Sequence, residues 1–532
     1  KLLEAQLVSY NSGNKDYAFL NMERIKDFDD LDKLFFRVLA RKVDERDAAV
    51  NKLFALVPYL NSSLFEMTEL EHNAFPINGL EDNIAMPLYS GTVIKDSQGN
   101  KTISELSTLE YIFSFLDSFD FAGEGSAEIQ EENKQLINAS VLGLIFEKIN
   151  GYKDGSFFTP GFITMYMCRE TIRRAVLQKF REQHFAIAED LIIDEAFAEL
   201  HNAIHTKSAV KQANDIINSL KICDPAVGSG HFLVSALNEM IAIKSDLKIL
   251  TDRNGKLLHY YQINIENDEL IITDADGEYI KYNPNRLESQ RIQETLFHQK
   301  QTIIENCLFG VDINPNSVKI CRLRLWIELL KNAYYKIGTT DKIKHAVFTE
   351  LETLPNIDIN IKCGNSLISR YPIDADLKKA LKKSKSNIAD YKFAVSVYRE
   401  TNDKAIKREM MRIIDRIKGD YESEIQTNDK RIKKLYQFRD ELLKHCTETS
   451  LFEQSKKEKA QWDKRRIQLE SDVKKQEEII EDIRSNKIYD NAFEWRFEFP
   501  EVLNDDGDFV GFDVVIGNPP YIQLQKNGGT LA

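Results

Sequence analysis

Leu220-Lys-Ile-Cys-Asp-Pro-Ala-Val-Gly-Ser-Gly-His-Phe-Leu-Val-Ser-Ala-Leu237 is the stretch that decides the fold. A short apolar run ends in Asp224, a Pro- and Gly-containing turn follows, and apolar residues at helical spacing resume from Phe232. That is strand, loop, helix. Gly228 and Gly230 let the backbone turn tightly and approach a ligand with no Cβ in the way. The first N–H groups of the following helix then face the same ligand. The third glycine of the dinucleotide spacing is absent, because Leu233 stands there, and this disfavours NAD. A Gly-Ser-Gly loop alone is a weak signal, since a purely structural turn can have the same composition.

The pattern recurs downstream. Cys307-Leu-Phe-Gly-Val-Asp312 reads as a second apolar strand, followed by a turn at Asn314-Pro315-Asn316 and a helix from Ser317 to about Ala333. Ile357 to Lys362 and Phe512 to Ile516 read as two more buried strands. Buried strands alternating with helices predict an α/β protein with a doubly wound parallel sheet. Two insertions interrupt it. Residues 248–283 hold strand-like runs split by Asn254-Gly255 and by Asp274-Ala-Asp-Gly277, a small antiparallel β meander. Residues 375–487 have almost no Gly or Pro and a high charge density, which predicts long exposed helices in an antiparallel hairpin. Residues 1–155 read as an N-terminal helical domain, with helical spacing in Leu31–Leu39 and Leu136–Phe146, and 156–532 as the α/β domain.

Composition narrows the class. The 532 residues are 42% apolar, enough for several buried cores, and contain no run of eighteen apolar residues. The amino terminus lacks a secretory pattern, so the expectation is a cytoplasmic protein with no membrane partner. Six cysteines without a CxxC pair argue against a disulfide framework or a zinc knuckle, and no metal is expected. The net charge of −13 hides an asymmetry: residues 375–487 carry 29 Lys and Arg against 22 Asp and Glu. A DNA-facing surface must therefore be local, and this segment is one candidate; a solvated spacer is the alternative.

Three further sites carry chemistry. Asp312, at the end of the second strand, can accept hydrogen bonds from both ribose hydroxyls of an adenosine-containing ligand. It stands 82 residues after Gly230, where about twenty is usual, and the meander accounts for most of the excess. Asn365, in Lys362-Cys-Gly-Asn-Ser-Leu367, can hydrogen-bond an adenine edge, although Asn is also an ordinary turn former. Phe512-Asp-Val-Val-Ile-Gly-Asn-Pro-Pro-Tyr521 runs a buried strand into Asn518-Pro519-Pro520-Tyr521. The two prolines hold the Asn518 side chain and the Pro519 carbonyl rigidly at the strand end. An exocyclic amine on a flat base can donate to both acceptors while Tyr521 stacks on its ring.

These residues resemble the gamma-ordered, S-adenosylmethionine-dependent adenine-N6 DNA methyltransferases, and most closely the type IIG restriction-modification enzymes, from about Val57 to the end of the chain. Pro58-Tyr-Leu-Asn-Ser-Ser-Leu-Phe65 and Trp495-Arg-Phe-Glu-Phe-Pro-Glu-Val502 are matching flanks. The resemblance implies a Rossmann-like class I methyltransferase sheet. It makes Phe158, Thr159 and Pro160 the motif that closes over the methionine end of the cofactor. Asp224, Pro225, Ala226, Gly228, Ser229, Gly230 and Phe232 become the cofactor loop, Asp312 with Ile313 the ribose side, and Asn365 with Ser366 the adenine side. Asn518, Pro519, Pro520 and Tyr521 become the catalytic motif, acting on an adenine flipped out of double-stranded DNA. Val227 stands where relatives more often have Cys. The gamma order places target recognition after the catalytic domain, and a sheet of this type has strands beyond the catalytic motif, so the sheet is expected to be incomplete here and the chain to belong to a larger protein. If the protein is bifunctional, the resemblance puts a nuclease upstream of Lys1.

Rival readings remain. Asn-Pro-Pro-aromatic motifs also methylate a release-factor glutamine or a ribosomal guanine, and N4 of cytosine is chemically close, although Asn rather than Ser at 518 favours adenine by resemblance. A non-catalytic DNA-binding subunit could keep the fold. His201-Asn-Ala-Ile-His205 lacks the glutamate of a zincin site and reads as an exposed helix. Glu132-Asn-Lys134 resembles the end of a nuclease signature without its Asp, and reads as a solvated face.

Overall fold

A computed structural model describes all residues other than 61–64, 66, 68–71, 95–104, 122–134, 138–140, 144, 146–147, 149–158, 259–260, 267–268, 337–349, 353, 371–386, 402, 429, 448–455, 486–490 and 520–532. The Asp224 strand, β1 (Ile222–Asp224), is joined in a four-stranded sheet by β2 (Leu308–Asp312), β3 (Ile361–Cys363) and β4 (Val514–Val515), in the order β4-β1-β2-β3. β1 pairs in parallel with both neighbours, Ile222 opposite Leu308 on one side and Val514 on the other. The chain therefore leaves β1 toward β2 and β3, and returns to its other side only at β4.

By its contacts the chain divides into two units. One is Lys1–Gly310, Asn316–Ile361 and Asp513–Pro520; the other is Val311–Pro315, Lys362–Phe512 and Tyr521–Ala532.

In the first unit the crossovers are α4 (Leu287–Cys307) and α5 (Pro315–Leu330), preceded in the chain by α1 (Gly161–Glu182), α2 (Ile193–Ala203) and α3 (His231–Asp246). α3 is buried at every position from His231 to Ser245, which fits a central helix enclosed on all sides. α5 starts with Pro315 at its first position, where the missing N–H costs nothing. The expected strand over 357–362 begins only at Ile361. Its first half is a turn because the buried Asn360 amide donates to the carbonyls of Ile304 (3.0 Å), Glu305 (2.9 Å) and Leu308 (3.0 Å), tying off the end of α4. The meander is present: Gln262–Glu266 and Glu269–Thr273 pair antiparallel, with bridges Thr251–Leu257 and Thr273–Tyr279. Gly255 and Gly277 supply the left-handed turns, at φ +73° and +83°.

Among the described residues up to Asp117 the N-terminal stretch holds several helices, including Phe28–Asp32 and a π-helical Lys33–Leu39, and an antiparallel strand pair, Ala85–Pro87 with Glu105–Ser107, that the helical reading did not anticipate. The helix expected from Leu136 is replaced at its start by a two-residue strand, Gln135–Leu136, parallel to Phe119–Asp120; 141–143 are helical. A short apolar run does not by its spacing distinguish the two. This stretch shares a core with the end of α5: Leu3, Leu7, Tyr10 and Phe54 cluster with Leu330, Tyr335 and Leu351. The Gln6 amide donates to Leu330 O at 3.1 Å.

In the second unit the charged stretch expected as a hairpin holds, among the described residues, four helices, α6 (Ile388–Glu400), α7 (Lys404–Asn428), α8 (Lys430–Thr447) and α9 (Lys456–Ser485). α8 and α9 form an antiparallel pair, joined by Arg439–Glu477 (2.6 Å), Arg465–Glu441 (3.1 Å) and the stacked rings of His445 and Trp462. A capping box between Asn387 and Asp390 starts α6. Glu498 receives Lys362 and Lys418, each at 2.8 Å. Burial pushes the Glu498 carboxyl up, but the two ammonium groups outweigh it and hold it down to about 2.

Among the described residues no helix is long and apolar enough to cross a membrane.

Candidate active site

Two glycines shape the loop after β1. Gly228 and Gly230 have φ +52° and +83°, and a Cβ on Gly230 would sit 2.8 Å from Cys321 Sγ. A side chain is excluded there twice over, by conformation and by space. On Gly228 a Cβ would meet only the Ala226 carbonyl oxygen, at 4.0 Å, so that side of the loop is open. Asp224 turns its buried carboxylate back into the loop, where Oδ1 accepts the Ala226 N–H at 3.0 Å. The loop carbonyl of Ser229 accepts from Arg324 of α5 at 3.2 Å. Ser229 and Phe232 are buried, and Pro225 and Ala226 are half-buried.

β4 delivers the next group. Its backbone is fixed by the Ile516 N–H to Cys223 O at 2.9 Å and by the Lys221 N–H to the Asp513 carboxylate at 2.7 Å. Gly517 then passes Asp224 so closely that a Cβ would lie 2.4 Å from Oδ1. Only glycine brings the chain past the carboxylate to Asn518.

α1 supplies the partner. Thr164 Oγ1 lies 2.8 Å from Ser235 Oγ of α3, Arg173 pairs with Glu239 (2.6 Å) and Asp246 (2.7 Å) of α3, and Lys179 pairs with Asp513 (2.7 Å). Clamped at these points, α1 sets the position of Thr159 and Pro160, the latter being its N-cap. The Asn518 amide Nδ2 donates to Thr159 Oγ1 at 3.0 Å. Thr159 and Asn518, the first and last of the predicted motifs, are thus in direct contact.

In the second unit, Asp312 Oδ1 accepts the Asn314 N–H at 2.8 Å, and its backbone carbonyl accepts the Gly364 N–H at 2.9 Å. The Asn365 side chain accepts the Leu367 N–H at 3.1 Å, an Asx turn, and the Ser366 carbonyl takes the Trp495 indole N–H at 3.1 Å. A Cβ on Gly364 would lie 2.7 Å from Phe493. Asp312 and the Gly364–Ser366 turn are therefore neighbours, held on an aromatic base; Ile313 is exposed. Phe158, Pro520, Tyr521 and Glu132–Lys134 lie outside the described residues. His201 Nδ1 is 3.3 Å from Leu247 O, and among the described residues no cluster of His, Cys, Asp or Glu is placed to hold a metal.

Sequence reasoning missed Gly517, Asn360, Arg324 and the Thr164–Ser235 contact. A glycine directly before Asn518 and an arginine inside the apolar run Leu323-Arg-Leu-Trp-Ile327 were the available signals.

Residues 306–531 match the Eco57I restriction-modification methylase family. Residues 1–137 match a domain of unknown function, DUF7814. A Methanocaldococcus jannaschii protein, named as a candidate type II restriction enzyme and methyltransferase, is 26% identical over 93% of this chain. The chain spans 37% of that relative's length. A solved structure of the type IIL restriction-modification enzyme MmeI in complex with DNA aligns with 76% of this chain and 42% of its own, at 14% identity and a TM-score of 0.34.

Proposed function

We propose that the chain is the modification part of a restriction-modification protein and transfers a methyl group from S-adenosylmethionine to N6 of an adenine flipped out of double-stranded DNA, acting in the cytoplasm. The fold in this reading is a doubly wound Rossmann-like class I sheet, with domains at 1–155 and 156–532. In such sheets ligands bind at the carboxyl ends of the strands where the strand order reverses, which here is β1.

One observation carries the reading. Asn518 Nδ2 donates to Thr159 Oγ1 at 3.0 Å, which fixes the amide's orientation beside the first motif and leaves Oδ1 as the acceptor assigned to a target amine in this reading. The N6 lone pair of adenine is delocalised into the ring and is a poor nucleophile. Hydrogen bonds from N6 to Asn518 Oδ1 and the Pro519 carbonyl localise it as positive charge develops, which is preorganised electrostatic stabilisation without a covalent intermediate. Tyr521 stacks on the base, worth about 1–3 kcal/mol toward the cost of flipping it.

The residues present fit the cofactor. The Gly228–Gly230 loop is open on one side and bordered by the first N–H groups of α3, which suits a polar ligand group. By the family resemblance, Phe158, Thr159 and Pro160 are assigned to the methionine end of the cofactor, Asp312 with Ile313 to the ribose hydroxyls, and Asn365 with Ser366 to the adenine edge. When bound, S-adenosylmethionine supplies the electrophilic sulfonium methyl. Incubating the intact protein with labelled cofactor and duplex DNA, then digesting to nucleosides, tests the reading. Label in N6-methyldeoxyadenosine supports it; label in N4-methyldeoxycytidine, or only in RNA or protein, contradicts it.

A further inference from the structure

We infer that Phe162 and Tyr166, on the first two turns of α1, form a stacking platform for bases of the substrate DNA beside the target adenine. The inference rests on the methyltransferase reading, because Asn518 marks where the target goes.

The two rings are 69% and 66% exposed, with Ile163 between them at 36%. Single exposed apolar residues are ordinary, but two aromatics four residues apart share one helix face and make a patch. The helix cannot roll to hide them. On its opposite face Thr164 Oγ1 is held 2.8 Å from Ser235 Oγ, and Cys168 Sγ lies 3.5 Å from Phe232 O. Further along the rings' own face the surface closes, because Arg173 is buried with its guanidinium 4.9 Å from the centre of the Phe197 ring on α2. The open aromatic stretch is therefore confined to the end of α1 that carries Thr159, the residue bonded to Asn518.

Extruding a base leaves its neighbours partly unstacked, and apolar or aromatic side chains commonly fill such steps. At 1.5 Å per residue, Tyr166 lies about 10 Å along α1 from Thr159, roughly three base steps. Flat rings at that reach suit flat bases, which every sequence offers.

The test measures DNA affinity of the intact protein for a duplex it methylates, across a range of salt, with cofactor affinity in parallel. The double variant Phe162→Ala, Tyr166→Ala should bind DNA about tenfold more weakly. Its cofactor affinity should stay at the wild-type value, and the slope of log Kd against log salt should not change, because no charge is removed. Tyr166→Phe should bind like wild type. Tyr166→Leu, which keeps apolar bulk but no ring, should weaken binding as Tyr166→Ala does. DNA affinity of the double variant within twofold of wild type, or a leucine as good as the tyrosine, would overturn the platform. A wild-type protein that binds duplex but transfers no methyl sinks the methyltransferase reading alone, since the variants' DNA affinity still decides the platform.

Discussion

The Asn518 amide donates a 3.0 Å hydrogen bond to the Thr159 hydroxyl across a sequence separation of 359 residues. The contact joins the turn after β4 to the start of α1, and it fixes which end of the amide each neighbour meets. Thr159→Val keeps the shape and removes the acceptor. Methyl transfer should fall roughly ten- to hundredfold, as expected when a positioned group loosens, while Thr159→Ser stays within a few-fold. Single-turnover rates with saturating cofactor measure this. A valine variant at the wild-type rate would leave the contact without a catalytic role.

Gly517→Ala places a Cβ 2.4 Å from Asp224 Oδ1. The strand end or the carboxylate must move, and Asn518 moves with the first. We expect loss of transfer activity of at least about a hundredfold and a destabilisation of about 1–3 kcal/mol, as for overpacking. Thermal unfolding and rates together check it. An active, equally stable alanine variant would show that the loop yields.

Much of this was legible in the sequence, and the parts that were not have a common cause. β1 and its glycine loop could be read because Asp-Pro, Gly228 and Gly230 punctuate an apolar run, and the meander because Asn-Gly and Asp-Gly mark its turns. β3 starts later than the apolar run suggests because Asn360 makes three side-chain bonds to carbonyls over fifty residues away. Such tertiary hydrogen bonds leave no local period. The charged stretch showed its helices but not their breaks. At the site, Thr159 and Asn518 stood out singly as motif members, whereas their contact and the clearance at Gly517 depend on how α1 packs on α3.

Asp312→Ala should weaken S-adenosylmethionine binding by about 1.5–3 kcal/mol, the worth of hydrogen bonds to a charged group. The Asn314 N–H, which donates to Oδ1 at 2.8 Å, loses its partner too, so Asp312→Asn is the milder comparison. Titration calorimetry decides; unchanged affinity in the alanine variant removes Asp312 from the cofactor site.

The Glu498 carboxyl gives a pH signature in the second unit. Its folded value of about 2 lies below the ordinary 4.5. The contribution to stability is therefore complete above about pH 4.5 and disappears as pH falls toward 2. Glu498→Gln leaves Lys362 and Lys418 without their shared anion and should cost on the order of 3 kcal/mol at neutral pH. The gap between variant and wild type should narrow steadily below pH 4.5 in urea unfolding. A gap independent of pH would mean that packing, rather than charge, is what the substitution removed.

The most direct test of the central claim pairs two readings on Asn518→Ala in the intact protein, cofactor affinity by calorimetry and methyl transfer to adenine N6. The residue is assigned to the target amine and not to the sulfonium, so affinity should stay within about threefold while transfer falls several hundredfold, by analogy with the loss of one preorganised hydrogen-bonding partner at a reacting centre. Methyl transfer surviving at near the wild-type rate, or cofactor affinity collapsing together with it, would contradict the account.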